Sequence, residues 1–329
     1  MKLNKLQLDK MIHNTLSYDY DEDGGLHFRR FTEAQLDAYR VYGVRNEVRA
    51  KASAGVTFDF ITDSEFLVLK MDLYKGSSQQ WADFDLYVDG IYTKQQRFDD
   101  YTKKLLNFSL PEGEHRVTLY FPWSAETVVQ EVYLSDNATV KEVSKRAKAM
   151  VVGDSITQGY ISEHTSLTYA NQVARDTDIE LVNQGIGGFH FGVETLDEAL
   201  ASFKPDLFLI AYGTNDYTRY ETQEEFQKNV SAYMKKLTSL FPETKMLAIL
   251  PIYRNDYSKQ TRELYRSYTL RDARRILSEI YAGYDNIHML TETGIPHIPE
   301  VFAEDYLHPN QLGFTFMAKA ISKKVDELL

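Results

Sequence analysis

Met150-Val151-Val152-Gly153-Asp154-Ser155-Ile156-Thr157-Gln158-Gly159 runs from an apolar triplet straight into a small polar cluster. A short apolar run closed by glycine reads as a buried strand that ends abruptly. A serine at such a strand-to-helix junction can lift its Oγ above the sheet and aim its own N–H at a developing oxyanion. A serine here can equally be a plain helix N-cap. The spacing is not the Gly-x-Ser-x-Gly elbow. Further along, Ile179–Val182, Leu207–Tyr212, Met246–Ile252 and Ile287–Leu290 repeat the short apolar pattern. Helix-period segments alternate with them: Phe226, Val230, Tyr233, Leu237 and Leu240; then Leu264, Tyr268, Ile276 and Ile280; then about Gln311 to Leu328. This alternation predicts a parallel sheet with helices on both faces, a three-layer α/β/α arrangement. Ligands of such sheets bind beyond the carboxyl ends of the strands.

Three more polar clusters bear on the same rim. Asn183-Gln184-Gly185-Ile186-Gly187-Gly188 follows a strand, and a glycine N–H is a suitable oxyanion donor. It does not spell a dinucleotide fingerprint, and no phosphate-binding lysine follows. Gly213-Thr214-Asn215-Asp216 follows the next strand. The Asn215 amide can donate to an oxyanion, although Asn-Asp pairs also simply make turns. Near the C-terminus, Asp305-Tyr306-Leu307-His308-Pro309-Asn310 spaces a carboxylate and an imidazole by three residues. On a helical turn this spacing puts both side chains on one side. The carboxylate can then hold Nδ1–H while Nε2 faces a serine. Pro309 and Asn310 suit the start of the last helix. His190 lies close enough to the glycine cluster to be a pocket candidate.

The first half has a different period. From about residue 40 to 135 apolar residues alternate, as in Val56, Phe58, Phe60, in Leu67, Leu69, Met71, Leu73, and in Phe84, Leu86, Val88. Asp89-Gly90 is a hairpin signal, since both residues tolerate positive φ. Short strands between turn residues predict an all-β sandwich of jelly-roll type. The polar stretch Ser135–Lys148 reads as a linker. With 329 residues, two domains are expected: a sandwich over 1–140, its first 35 residues an irregular extension, and an α/β domain over 148–329.

A formal net charge of −11 argues against nucleic acid and anionic membranes as partners. The chain has no cysteine, which excludes disulfides and thiolate chemistry. No apolar stretch reaches signal-peptide or membrane-span length. The chain as it stands is expected to be cytoplasmic; one preceded by a signal would be secreted. Nothing in the sequence speaks to oligomeric state.

Taken together, the four blocks resemble the SGNH (GDSL-type) hydrolase superfamily. The match covers about 148 to 329: Gly-Asp-Ser at Ser155, Asn-x-x-x-x-Gly ending at Gly188, Gly-x-Asn-Asp at Asn215, and Asp-x-x-His at Asp305 and His308. Gly185 is the alternative oxyanion glycine. The first half resembles the β-sandwich domain that precedes some SGNH carbohydrate esterases of bacteria. The resemblance there rests on Ser53-Ala54-Gly55-Val56, Thr62-Asp63-Ser64 and Asp85-Leu86-Tyr87, with Asp83 standing where that pattern has glycine.

The resemblance implies a serine esterase with a Ser155–His308–Asp305 triad. Its oxyanion hole is made by Ser155, Gly188 and Asn215, and it needs no metal or organic cofactor. It further implies a small-molecule or oligosaccharide ester as substrate, with a short acyl group, acetyl foremost. Asp154, His190, Trp81 and Trp123 are candidates for substrate contact. Short-chain lipid, thioester or aryl ester hydrolysis and acyl transfer are alternatives. An idle carbohydrate-binding protein is a further one.

Overall fold

The structure of the protein, a computed structural model, describes residues 1–254 and 268–329. Leu264, read from the sequence as part of a helix, lies outside the described residues. In chain order the first half holds α1 (Lys5–Leu8), β1 (Ile12–His13), β2 (Ser17–Tyr20), β3 (Leu26–Arg29), α2 (Glu33–Tyr42) and α3 (Val44–Ala50). It continues through β4 (Thr57–Thr62), β5 (Phe66–Lys75), β6 (Ala82–Val88), β7 (Ile91–Phe98), β8 (Lys103–Ser109), β9 (His115–Tyr120), β10 (Ala125–Tyr133) and β11 (Lys141–Glu142). One sheet has the order β1-β4-β9-β6-β7, with β11 also on β4; the other has β2-β3-β10-β5-β8. Their facing residues, among them Phe58, Phe60, Leu86 and Leu119 against Leu67, Leu69, Leu106 and Val132, form one buried core. This is the expected sandwich. Asp89 (φ 51) and Gly90 (φ 77) make the hairpin between β6 and β7 with positive φ at both positions.

Two features differ from the sequence reading. Residues 1–35 are not irregular, because β1, β2 and β3 join the two sheets. Ser17-Tyr18-Asp19-Tyr20 forms an edge strand exposed on both sides, so it carries no apolar alternation to read. Secondly, Phe31, Leu36, Tyr39 and Ala50 pack into the core of the α/β layers and not into the sandwich. Thr32 caps α2, its hydroxyl accepting from the Gln35 N–H while the Gln35 side chain accepts from the Thr32 N–H.

The second half holds β12 (Lys148–Gly153), α4 (Ser155–Gln158), α5 (Tyr169–Asp176), β13 (Glu180–Gly185), β14 (Leu207–Ala211), α6 (Asp216–Arg219), α7 (Gln223–Leu240), β15 (Lys245–Ile249), α8 (Leu270–Tyr281), β16 (Ile287–Leu290) and α9 (Gln311–Leu328). The strands form a parallel sheet in the order β13-β12-β14-β15-β16. Alternation sorts its residues onto two faces. Met150, Val152, Phe208, Ile210 and Met246 meet Val230, Leu237 and Leu277 of α7 and α8. Ala149, Val151, Leu207, Leu209 and Leu247 meet Val173, Phe314 and Ile321 of α5 and α9. The chain leaves β12 first toward β13 and later toward β14, which puts the topological switch point beside the end of β12. Among the described residues no helix is long and apolar enough to cross a membrane.

Candidate active site

Ser155 sits where β12 gives way to α4. The N-cap is Asp154, whose Oδ1 accepts from the Ile156 N–H at 2.9 Å; Ser155 is the first helical residue and not the cap. Its N–H therefore has no intrahelical partner and its Oγ is free for other work. Tight packing explains the flanking glycines. A Cβ on Gly153 would lie 2.0 Å from Thr157 Oγ1, and Gly159 (φ +105) closes the turn against Thr168. Asp154 is buried, and burial lifts its carboxyl to about 6 against the opposing pull of the Ile156 N–H. It shapes the turn and does not line the pocket around Ser155, contrary to its candidacy for substrate contact.

Ser155 Oγ is 2.7 Å from His308 Nε2, and His308 Nδ1 is 2.5 Å from Asp305 Oδ2. The Asp305–His308 segment is not a helical turn. Asp305 Oδ1 accepts the N–H groups of Leu307 and His308, both at 3.0 Å, and Tyr306 takes φ 55. The carboxylate thus folds the backbone that presents the imidazole. Burial pushes the Asp305 carboxyl up, but hydrogen bonds from the His308 ring and backbone outweigh it and hold it at about 2. Asn310 then caps α9, accepting from Gly313 N–H at 3.1 Å.

An aromatic file backs the imidazole. The Tyr160 ring meets His308 at 4.7 Å, Trp123 meets Tyr160 at 5.6 Å, and Trp81 meets Trp123 at 5.5 Å. Trp123 is fully buried and donates its indole N–H to Ser162 O at 2.9 Å. It braces the site from behind, and burial removes it from substrate contact. Trp81 lies at the far end of the file under the Arg97 guanidinium and does not line the pocket.

Beyond β13, residues Ile186 to Phe189 form a turn in which Phe189 N–H donates to Ile186 O at 3.0 Å. Gly188 takes φ +77, as the third residue of a type II turn requires. Its N–H has no partner among the described residues, and the residue is exposed to the pocket. Gly185, the alternative, is spent on the strand: its N–H donates to Asn183 Oδ1 at 2.8 Å and a Cβ there would lie 2.3 Å from Gln158 N. Asn215 follows β14 and donates one amide hydrogen to Phe189 O at 2.8 Å. Ser155, Gly188, Asn215, Tyr160 and His308 together line a cavity of about 240 Å³. His190 stays outside it. It is buried between the rings of Tyr42 and Phe189, and burial pushes it down to about 4, so it is neutral near pH 7. Asp216, also buried, accepts from Phe191 N–H, and burial raises it to about 7.

A family model for GDSL-like lipases/acylhydrolases matches residues 151–315 of the 329. The chain belongs to the GDSL-like lipase/acylhydrolase family. Its chemistry is accordingly that of acyl esters. Among solved structures it is similar to the salicylyl-acyltransferase SsfX3 of a tetracycline biosynthetic pathway, with TM-score 0.81 and 20% identity over 96% of this chain and 94% of that one. A protein described as a GDSL-like lipase of Bacteroides ovatus follows, with TM-score 0.77 and 18% identity over 100% and 97%. A family two carbohydrate esterase of Cellvibrio japonicus has TM-score 0.65 and 16% identity over 98% and 96%. At these identities the likeness is one of fold. No curated protein matches the chain in sequence.

In this GDSL-family chain four further residues build the site that sequence reading did not find. Gln158 accepts from Gly187 N–H at 2.8 Å and donates to the carbonyls of Gly76 and Trp123, tying the glycine turn to the sandwich. Tyr160 backs His308. Arg49 of α3 donates to Gly187 O and lines the pocket. Arg30 is fully buried and donates to the carbonyls of Ala52, Arg49, Ala50, Asn183 and Gly185, joining the end of α3 to β13. Burial lowers its guanidinium to about 9. Arg30→Met would strand these carbonyls in the interior. Thermal or urea unfolding should show a loss of about 3–5 kcal/mol; an unchanged midpoint would mean that water replaces the guanidinium.

Proposed function

We propose that the protein is a serine esterase that removes short acyl groups, acetyl foremost, from carbohydrate esters. The observation that carries the reading is the unbroken hydrogen-bond run from Ser155 Oγ through the His308 ring to Asp305. In this scheme His308 Nε2 takes the Ser155 proton as Oγ attacks the ester carbonyl. Asp305, whose carboxyl the His308 hydrogen bonds hold well below the usual carboxylate range, orients the ring and stabilises the imidazolium. The N–H groups of Ser155 and Gly188 and the second amide hydrogen of Asn215 receive the oxyanion. His308 then protonates the departing alkoxide, leaving an acyl-serine. Water, deprotonated by the same imidazole, releases the acid and regenerates Ser155. A cavity of about 240 Å³ suits a small acyl group. The carbohydrate part of the reading is supported by fold likeness to the carbohydrate esterase of Cellvibrio japonicus.

A second reading is transfer of the same acyl group to an acceptor hydroxyl. It is favoured by the likeness to the salicylyl-acyltransferase over nearly the whole of both chains.

The test is a panel of acetylated xylo- and manno-oligosaccharides with p-nitrophenyl acetate and octanoate, run beside Ser155→Ala. Acetate release from the oligosaccharides by wild type alone is expected. Preference for octanoate would overturn the carbohydrate reading, and appearance of acyl-acceptor product in place of acid would favour the transferase.

A further inference from the structure

A second groove of about 430 Å³ adjoins the cavity around Ser155, with Arg49, Ser77 and Ser78 lining both. Arg45 and Lys75 stand on this groove, Arg45 one turn before Arg49 on α3 and Lys75 at the end of β5. Residues four apart on a helix share a face, so the two guanidinium groups are neighbours. Like charges in that relation repel modestly, and an anion placed between them would turn the repulsion into charge-assisted hydrogen bonds.

No carboxylate lines either cavity among the described residues. Several other arginines are paired with acids: Arg29 with Asp19, Arg40 with Glu47, Arg116 with Asp59, Arg146 with Asp326. Arg45, Arg49 and Lys75 have no acidic partner among the described residues. Glu47, the acid between the two arginines in sequence, is engaged by Arg40 and Lys51. Burial and the charge of Arg45 both disfavour the charged form of Arg49. This concentration of positive charge stands in a chain of net charge −11, and it borders the candidate nucleophile.

We propose that the groove is a subsite for an anionic group, a carboxylate or a phosphate, on the alcohol part of the substrate. The inference rests on the esterase reading of Ser155. Arg45 and Lys75 bind the anion, and Arg49, held by Gly187 O, adds its charge beside the glycine turn. An ester held in this way is positioned over Ser155 by the group it does not lose. A charge that attracts the substrate also raises its rate of encounter, and salt screens it.

Three acetylated substrates test the proposal: a methyl glucuronoside, its neutral glucuronamide, and glucose 6-phosphate. For wild type, kcat/KM on at least one anionic ester should exceed that on the amide by about tenfold at low salt, the ratio shrinking at high salt. In the Arg45→Gln/Lys75→Gln double variant the ratio should fall toward one. A preference confined to the glucuronoside identifies a carboxylate, and one confined to the phosphate identifies a phosphate. Equal rates in wild type, or a ratio unchanged in the double variant, would overturn the subsite and leave the esterase reading standing. If no ester is cleaved in a Ser155-dependent way, the esterase reading has failed, and the groove is read by calorimetry with unacetylated methyl glucuronoside and glucose 6-phosphate. Binding that is weakened about tenfold in the double variant supports the subsite. Absence of binding by both overturns it.

Discussion

Ser155→Ala is expected to lower kcat on the best ester by roughly 10⁴-fold or more while leaving the thermal midpoint where it was. The expected size follows from the chemistry. Without Oγ there is no acyl-enzyme, and hydrolysis must proceed by direct attack of water aided only by the oxyanion donors. The fold should not notice the change. Among the described residues Ser155 Oγ has one partner, His308 Nε2, and the residue is neither the N-cap of α4 nor part of a core. Its N–H, the other contribution of this position, survives in alanine. A variant that kept half of the wild-type rate would remove Ser155 from the mechanism. One that lost activity together with its thermal midpoint would only show a damaged fold, so both quantities are measured on the same preparation.

Asn215→Ala should cost about 10²–10³-fold in kcat with little change in KM. One amide hydrogen of Asn215 is fixed on Phe189 O at 2.8 Å. That fixes the amide plane and leaves the other hydrogen for the cavity that Asn215 shares with Ser155 and Gly188. A donor oriented before the reaction stabilises charge that develops only in the transition state, hence the effect on kcat. Removal should also release the Phe189 carbonyl, so some loss of stability is expected. A raised KM at unchanged kcat would instead make Asn215 a ground-state binding residue, and the oxyanion role would be withdrawn.

The parts of this site that were legible in the sequence are local. Ser155, Gly188, Asn215 and the Asp305–His308 pair each follow, or lie within, a few residues of a pattern that a short window can contain. Strand ends gather them because a parallel sheet places all its carboxyl ends on one rim. The supporting residues are the opposite case. Arg30 reaches Asn183 and Gly185 across 153 and 155 residues of chain, and Arg49 reaches Gly187 across 138. No window of sequence holds both ends of such a contact. Trp123 was drawn as a substrate contact from its residue type and His190 from its place near the glycine cluster, and both are buried. Ile91–Phe98 was legible only through the Asp89-Gly90 hairpin signal: among the described residues it pairs with β6 alone and is largely exposed, so its Tyr-Thr-Lys-Gln-Gln run lacks alternation. The start of α2 carries a capping signature in Thr32 and Gln35 that the sequence reading, which took residues 1–35 as an irregular extension, passed over.

The fold also gives the sandwich a part in the site. Gln158 and Tyr160, one beneath the glycine turn and one behind His308, are both held by groups from the first half: the carbonyls of Gly76 and Trp123, and the side chains of Ser78 and Gln79. The geometry of the candidate site therefore depends on both halves being in place.

The central claim is that Ser155 Oγ is the nucleophile. It is tested most directly by treating the protein with diethyl p-nitrophenyl phosphate and mapping the adduct by peptide mass spectrometry. One diethylphosphoryl group on Ser155 is expected, formed with loss of esterase activity and far more slowly in His308→Ala. An adduct on another residue that abolishes activity, or full inactivation with Ser155 unmodified, would contradict it.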